Sequence, residues 1–454
     1  MLNLFASRRN FLNTRKIGEF SMNFLRCKNF TFAAFFLLIF AVCLNAQTAG
    51  EMSESVKFER QANADYQAKD YAKFLENLKR ADQLRPNHAR ILYNLADAYA
   101  LNGKTDEALA VLERLAAMDL FFAVEKDDDF KSLLGSQRFK TIQNQFALNQ
   151  KAVNRSEKAF SLPQKDLITE GIAYDSESKR FFVSSIYKHK IVAVDANGKV
   201  ADFSLSSDGL WSVSGMRVDE KRKILWVTTT ALAQTLPDSQ KTDDGKSGVF
   251  KYDLRNGKLL KKYLLPNTDG KHALGDLLIA KNGDVFASDS RQPNIYRIEA
   301  KKDELEIFLT SDNFASLQGL AFSPDEKLLF AADYSKGVFR IEMASKKISQ
   351  IAMNANTNPI GIDGLYFYRG NLIAIQNGFR PFRVARFTLN KDFSAVTRSE
   401  TLEANHAEME EPTLGVIVGK DFYFLANSQQ SLIGKDGKLA EDKLKEPVIL
   451  RLKL

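Results

Sequence analysis

From residue 170 of this 454-residue chain onward a small residue recurs beside an acid, amide or hydroxyl: Glu170-Gly171, Ser214-Gly215, Gly275-Asp276, Gln318-Gly319, Asp363-Gly364 and Pro412-Thr413. Glu170, Asp276 and Asp363 bring carboxylates to these steps, and Gln318 brings an amide. Gathered in one cavity, such carboxylates repel one another and hold their protons to higher pH unless a counter-charge is present. A hard cation with oxygen ligands supplies that charge. Mixed carboxylate and amide oxygens suit Ca²⁺, with Mg²⁺ or Mn²⁺ as the other choices. Histidine is scarce near the steps, which argues against zinc.

Residues this far apart in sequence meet only if the elements between them form a ring. Each step opens a short apolar strand, then a polar turn, a second apolar strand ending in Asp, Asn, Ser or Thr, and a third strand, as in EGIAYDSESKRFFVSS, QGLAFSPDEKLLFAAD and DGLYFYRGNLIAIQN. Multi-strand modules recurring at about 40–45 residues read as propeller blades, and six are present. Innermost strands then place Glu170, Ser214, Gly275, Gln318, Asp363 and Thr413 around the axis, with Asp276 one step on. The antiparallel second strands end at the same face and offer a second ring: Ser185, Thr229, Asp289, Asp333, Asn377 and Asn427. Asp289, Asp333, Asn377 and Asn427 are ligand-pocket candidates, although Asp and Asn at strand ends also make turn hydrogen bonds or hold channel water. His272 and His189 lie in loops opening on that face, and Arg380 in GFRPFRVARF could reach an anionic ligand at the rim. An exposed loop position is the plainer reading of both histidines.

Five blades carry a fourth strand and the last, ending in PVILRLKL, does not. The segment KAFSLP before the first blade is expected to complete it, joining the two ends of the domain over 158–454 and removing exposed sheet edges. Residues 52–150 follow another period. Ala62/Ala96, Ala64/Ala98, Leu75/Leu109 and Leu78/Leu112 are each 34 apart, and the stretch 127–147 carries apolar residues at helical spacing. This resembles two tetratricopeptide repeats with a capping helix, read either as a structural cap or as a groove for a protein partner. The expected fold class is therefore α+β multidomain, helical repeats followed by an all-β six-bladed propeller.

The formal charge of +8 comes largely from the start of the chain. Of 64 basic and 56 acidic residues, the first 28 hold six basic and one acidic, so the remainder carries +3, an ordinary surface balance. The apolar run over 30–44 is short for a membrane span of about 20 residues. With Asn45-Ala46 behind it, it reads as a secretory signal over 1–46, with Met22 an alternative start. A periplasmic or secreted protein with no membrane span after cleavage is expected. Lipid anchoring at Cys43 is disfavoured by the bulky Val42 before it. Cys27 and Cys43 are the two cysteines, so a cleaved chain has no disulfide and no thiol nucleophile. No phosphate loop, no Gly-x-Ser-x-Gly elbow and no basic run interleaved with aromatics is present, so nucleic acid is not an expected partner.

Residues 160–454 resemble the regucalcin/gluconolactonase family and its strictosidine-synthase-like relatives. The resemblance rests on Glu170-Gly171-Ile172, on Gln318-Gly319-Leu320 ahead of Ser323-Pro324-Asp325, and on Asp363-Gly364. It implies that Glu170, Gln318 and Asp363 bind a divalent cation, and that Asp363 is tied to water activation. Two positions depart from the family pattern. Gln318 and Gly275 stand where the family has asparagine, the first lengthening the donor and the second deleting it. The expected function is a metal-dependent hydrolase of small lactones or esters, with the cation polarising a carbonyl and Asp363 or Asp276 accepting a proton. The alternative is a propeller that binds a small molecule on its axis without chemistry while the helices dock a protein.

Overall fold

The computed structural model describes residues 49–266, 270–354 and 356–454, with backbone alone for 49–53. The signal, the alternative start and both cysteines lie outside the described residues. Among these, no helix is long and apolar enough to cross a membrane.

Helices come first: α1 (Ala49–Gln67), α2 (Tyr71–Leu84), α3 (Ala89–Leu101), α4 (Thr105–Ala117) and, after a 3₁₀ turn over Asp128–Leu133, α5 (Gln137–Asn149). Small residues let the helices cross closely, and Ala62, Ala96 and Ala98 are fully buried. Side chains close the helix starts: Asp70 accepts from the Lys73 N–H at 3.2 Å and Ser136 from Phe139 at 3.4 Å, each satisfying an otherwise orphaned donor. The apolar faces of α3, α4 and α5 meet around Leu112, Phe130, Phe139 and Phe146.

Six four-stranded sheets follow. In five of them the strands run in chain order from the axis outward. In the sixth the outermost strand is Ser156–Ser161, paired antiparallel with the last strand, Val448–Lys453. The ring thus closes with the first and last strands of the propeller in one sheet, and Leu162, Val183, Leu425 and Ile449 pack across the seam. Between other blades the filling is aromatic and aliphatic, as where Phe182 meets Leu225, Val227 and Phe250. Each such buried side chain contributes about 1.5–3 kcal/mol.

The recurring small residue has a physical cause. In blades one to five the inner strand is bulged: the register shifts between Thr169 and Ile172, Val213 and Met216, Leu274 and Leu277, Leu317 and Leu320, and Ile362 and Leu365. A bulge re-aims a side chain, and here it brings the backbone against the next blade. A Cβ on Gly171 would lie 2.1 Å from Ser214 O, and one on Gly319 would lie 2.3 Å from Leu365 N. Hydroxyls tie the same contacts: Thr228 Oγ1 donates to Gly275 O at 2.9 Å, Ser288 Oγ to Gln318 O at 2.6 Å, and Thr413 Oγ1 to Glu170 O at 2.9 Å.

Candidate functional site

The bulges fix which residues share a ring. Leu274 pairs with Asp289 as Thr169 pairs with Ser185, so Gly275 is the counterpart of Glu170, and Asp276 that of Gly171. Asp276 therefore occupies a glycine's place in the bulge, 1% exposed. Its Oδ2 accepts from Arg217 Nη2 at 2.9 Å. The Arg217 guanidinium also lies 5.5 Å over the ring of Tyr366, whose hydroxyl accepts from the Gly415 N–H at 2.6 Å. An arginine of blade two, an aspartate of blade three and a tyrosine of blade five thus span the channel. Burial pushes the Asp276 carboxyl up and Arg217 pulls against it. This corrects the expectation that Asp276 is available as a proton acceptor: it is the arginine's partner.

Nearer the mouth stand Glu170 and Asp363. Gln430 Nε2 donates to Glu170 Oε2. Asn377 Nδ2 donates to Asp363 Oδ2 at 2.8 Å and to Pro412 O at 2.9 Å, and Tyr334 OH donates to Asn377 Oδ1 at 3.0 Å. Burial pushes Glu170 well up, and the negative charges of Asp363 and Glu411 push the same way. Asp363, 7% exposed, is pushed up to about 7 by burial, with Asp276 and Glu411 adding to it and the Asn377 amide opposing. Glu411 is itself raised by burial. Among the described residues no Lys, Arg or His forms an ion pair with Glu170, Asp363 or Glu411.

Gln318 holds its Nε2 at 3.3 Å from Ser316 Oγ, and its Oε1 lies 3.4 Å from where a Cβ on Gly275 would stand. The two departures are thus neighbours: the longer amide reaches toward space the glycine leaves open. The donors at the mouth are all oxygens and their charge is uncompensated, which fits a hard cation. Glu170, Asp363 and Glu411 do not bring three carboxylate oxygens within 4.8 Å of one another.

The second ring is corrected in two ways. Its register member in blade five is Gln376, paired with Ile362. Asn377 is one residue off and points to the other side, which is how it reaches Asp363, whereas Thr229 pairs with Val213 as Ser185 pairs with Thr169. The remaining members serve turns. Asp289 accepts from the N–H groups of Ala273, Arg291 and Gln292. Asp333 accepts from those of Ala315, Ser316, Ser335 and Lys336. Asn427 accepts from Val448 N at 2.7 Å and donates to Glu446 O at 3.0 Å. His272 is no exposed loop residue: it is 3% exposed with Nδ1 2.8 Å from Asp289 Oδ2, a contact that fixes the loop. His189 sits half-buried in a turn with positive φ. Arg380 is exposed, with its guanidinium 3.9 Å from the Phe382 ring centroid and its carbonyl accepting from the Phe121 N–H of the helical part. It lies at that junction rather than at the mouth. Arg217, Tyr334, Tyr366, Glu411 and Gln430 gave little sequence signal. Only their proximity to the repeated steps, Arg217 three residues past Ser214 and Glu411 two before Thr413, pointed to the axis.

Residues 65–121 match the model of the tetratricopeptide repeat family. No curated protein matches the chain. Among solved structures, a PQQ-bound aldose sugar dehydrogenase from Streptomyces coelicolor is similar at 12% identity and TM-score 0.46, over 67% of this chain and 98% of that one. A gluconolactonase from Xanthomonas campestris is similar at 15% identity and TM-score 0.44, over 68% and 92%. A virginiamycin B lyase from Staphylococcus aureus is similar at 16% identity and TM-score 0.41, over 59% and 80%. A dehydrogenase, a lactonase and a lyase are unlike in chemistry, and likenesses this remote assign none of the three to this chain. Function has to be argued from the mouth.

Proposed function

We propose that the chain is a hydrolase of small lactones or esters whose reaction centre is the channel mouth, with Glu170, Asp363 and Gln318 holding a hard divalent cation, Ca²⁺ foremost. One observation carries this reading: two inner-ring carboxylates share the mouth with Glu411, both are raised, and no basic side chain among the described residues pairs with them. A cation bound there would polarise a substrate carbonyl and lower the pKa of water. Asp363 would accept the proton of that water as general base. Asn377 and Tyr334 orient it through consecutive hydrogen bonds. Gln430 holds Glu170, and the Arg217–Asp276–Tyr366 contacts wall the channel behind them.

The test is to strip the purified protein of metal, add Ca²⁺, Mg²⁺ or Mn²⁺ back, and assay a panel of lactones and aryl esters. Turnover should require metal, and Asp363→Asn should lower kcat by about 10²–10⁴-fold, the usual contribution of a general base. Turnover that ignores both chelator and Glu170→Gln would sink the reading. Metal binding without turnover across the panel would leave a ligand-binding propeller instead.

A further inference from the structure

A second oxygen cluster lies outside the propeller. Asp97 of α3 and Asp127 and Asp129 of the segment before α5 place one carboxylate oxygen each within 4.8 Å of one another. Oxygens bound to one Ca²⁺ at about 2.4 Å lie at most about 4.8 Å apart, a limit that the set meets. Clusters of acids are common without an ion, and Asp97 provides the independent observation. It is 7% exposed, its Oδ1 is buried with no hydrogen-bond partner, and no basic side chain among the described residues pairs with it. A buried carboxylate oxygen left bare is costly unless a proton or a cation meets it. Burial and the charges of Asp127 and Asp129 push the Asp97 carboxyl up to about 9. The other two acids are half-buried, which leaves an approach from solvent. They are also held in place: Tyr93 OH donates to Asp127 Oδ2 at 2.8 Å and Tyr66 OH to Asp129 Oδ2 at 2.9 Å.

We propose that Asp97, Asp127 and Asp129 bind a hard divalent cation, Ca²⁺ foremost, that staples the two helical repeats to the segment capping them. The donors are all oxygens and include no His or Cys, which selects Ca²⁺, Mg²⁺ or Mn²⁺ over zinc. Through its ligands and their tyrosines the ion would join α3, the 127–129 segment and α1, the source of Tyr66. Two repeats are fewer than the three or so that usually stand alone. A cation bound by the folded state alone adds its binding free energy to folding.

The test uses the full chain carrying Glu170→Gln, so that binding at the propeller mouth is weakened and the two sites are read apart. Tb³⁺ luminescence sensitised by tyrosine is titrated into chelator-stripped protein and displaced with Ca²⁺, and Tm is followed with added Ca²⁺. The expected result is one saturable equivalent and a Ca²⁺-dependent rise in Tm, both lost on adding Asp97→Asn or Asp129→Asn. Asp97→Asn should leave the chelator-treated protein folded, since the amide keeps the carboxyl's shape and cannot ionise, and circular dichroism checks this. If it does not fold, Asp129→Asn decides alone. Absence of binding in the Glu170→Gln protein, or binding that survives the aspartate substitutions, overturns the proposal.

Discussion

Asp363 carries a pH dependence whose sign is fixed by its surroundings. Burial pushes its carboxyl from 3.8 up to about 7. Between those values the folded chain binds more protons than the unfolded one, so stability falls as pH rises and the deficit is complete above the higher value. In chelator, Asp363→Asn should therefore raise the urea midpoint at about pH 8 and have little effect at about pH 4. A gain that is larger in acid would contradict the assignment. The arginine that the sequence left unremarked makes a second residue-scale prediction. Arg217→Met leaves Asp276 buried and unpaired, and should cost about 3–5 kcal/mol by guanidinium unfolding. Arg217→Met with Asp276→Leu should recover most of that, because replacing both partners removes the stranded charge. Glu170 and Asp363 were legible because each opens a repeated segment. Arg217 was not, since one arginine within a strand has the same sequence signature as a solvated face. His272 misled for a related reason: a loop position says nothing of the aspartate that folds back onto it.

The element that organises the site is the bulged inner strand. Six such segments could be read from the sequence, because an apolar strand opening with a small residue repeats visibly. The bulge could not, since it is a register shift made by pairing with the second strand. Missing it moved the second ring by one residue at Asn377, and a one-residue slip turns a side chain to the opposite face. The glycines make the geometry testable. Gly171→Ala drives a Cβ against Ser214 O of the next blade and should cost about 1–3 kcal/mol, the usual range for overpacking. Gly135→Ala meets nothing within 4 Å and should stay within about 0.5 kcal/mol of the parent. Equal effects in the two variants would mean that the blade contact does not constrain the strand.

Over the whole molecule the helices rest on the propeller through the loop over 377–382, with Arg383 and Asn405 adding contacts. Asn377 ends its turn beside Asp363, and two residues on Phe379 packs into the apolar cluster of the helices, its ring 6.4 Å from that of His88. Arg383 Nη1 donates to Met118 O at 3.3 Å, Phe121 N to Arg380 O at 2.9 Å, and Asn405 Nδ2 to Gln150 O at 2.7 Å. Two repeats are fewer than the three or so that stand alone, so the sequence implied that the helices lean on their neighbour, but it did not show which residues dock, because the donors and acceptors are largely backbone groups of loops. It follows that the short helical stack borrows stability from the ring, whose own closure through Ser156–Ser161 and Val448–Lys453 is independent of it. Phe379→Ala removes the apolar anchor and leaves every blade contact in place. Amide hydrogen exchange should then quicken across α3 and α4, about tenfold for each 1.4 kcal/mol of docking lost, while the inner strands keep their protection. Unchanged exchange in the helices would show that they stand alone. Faster exchange spreading into the inner strands would show that the ring leans on the helices, the reverse of the order argued from its closure.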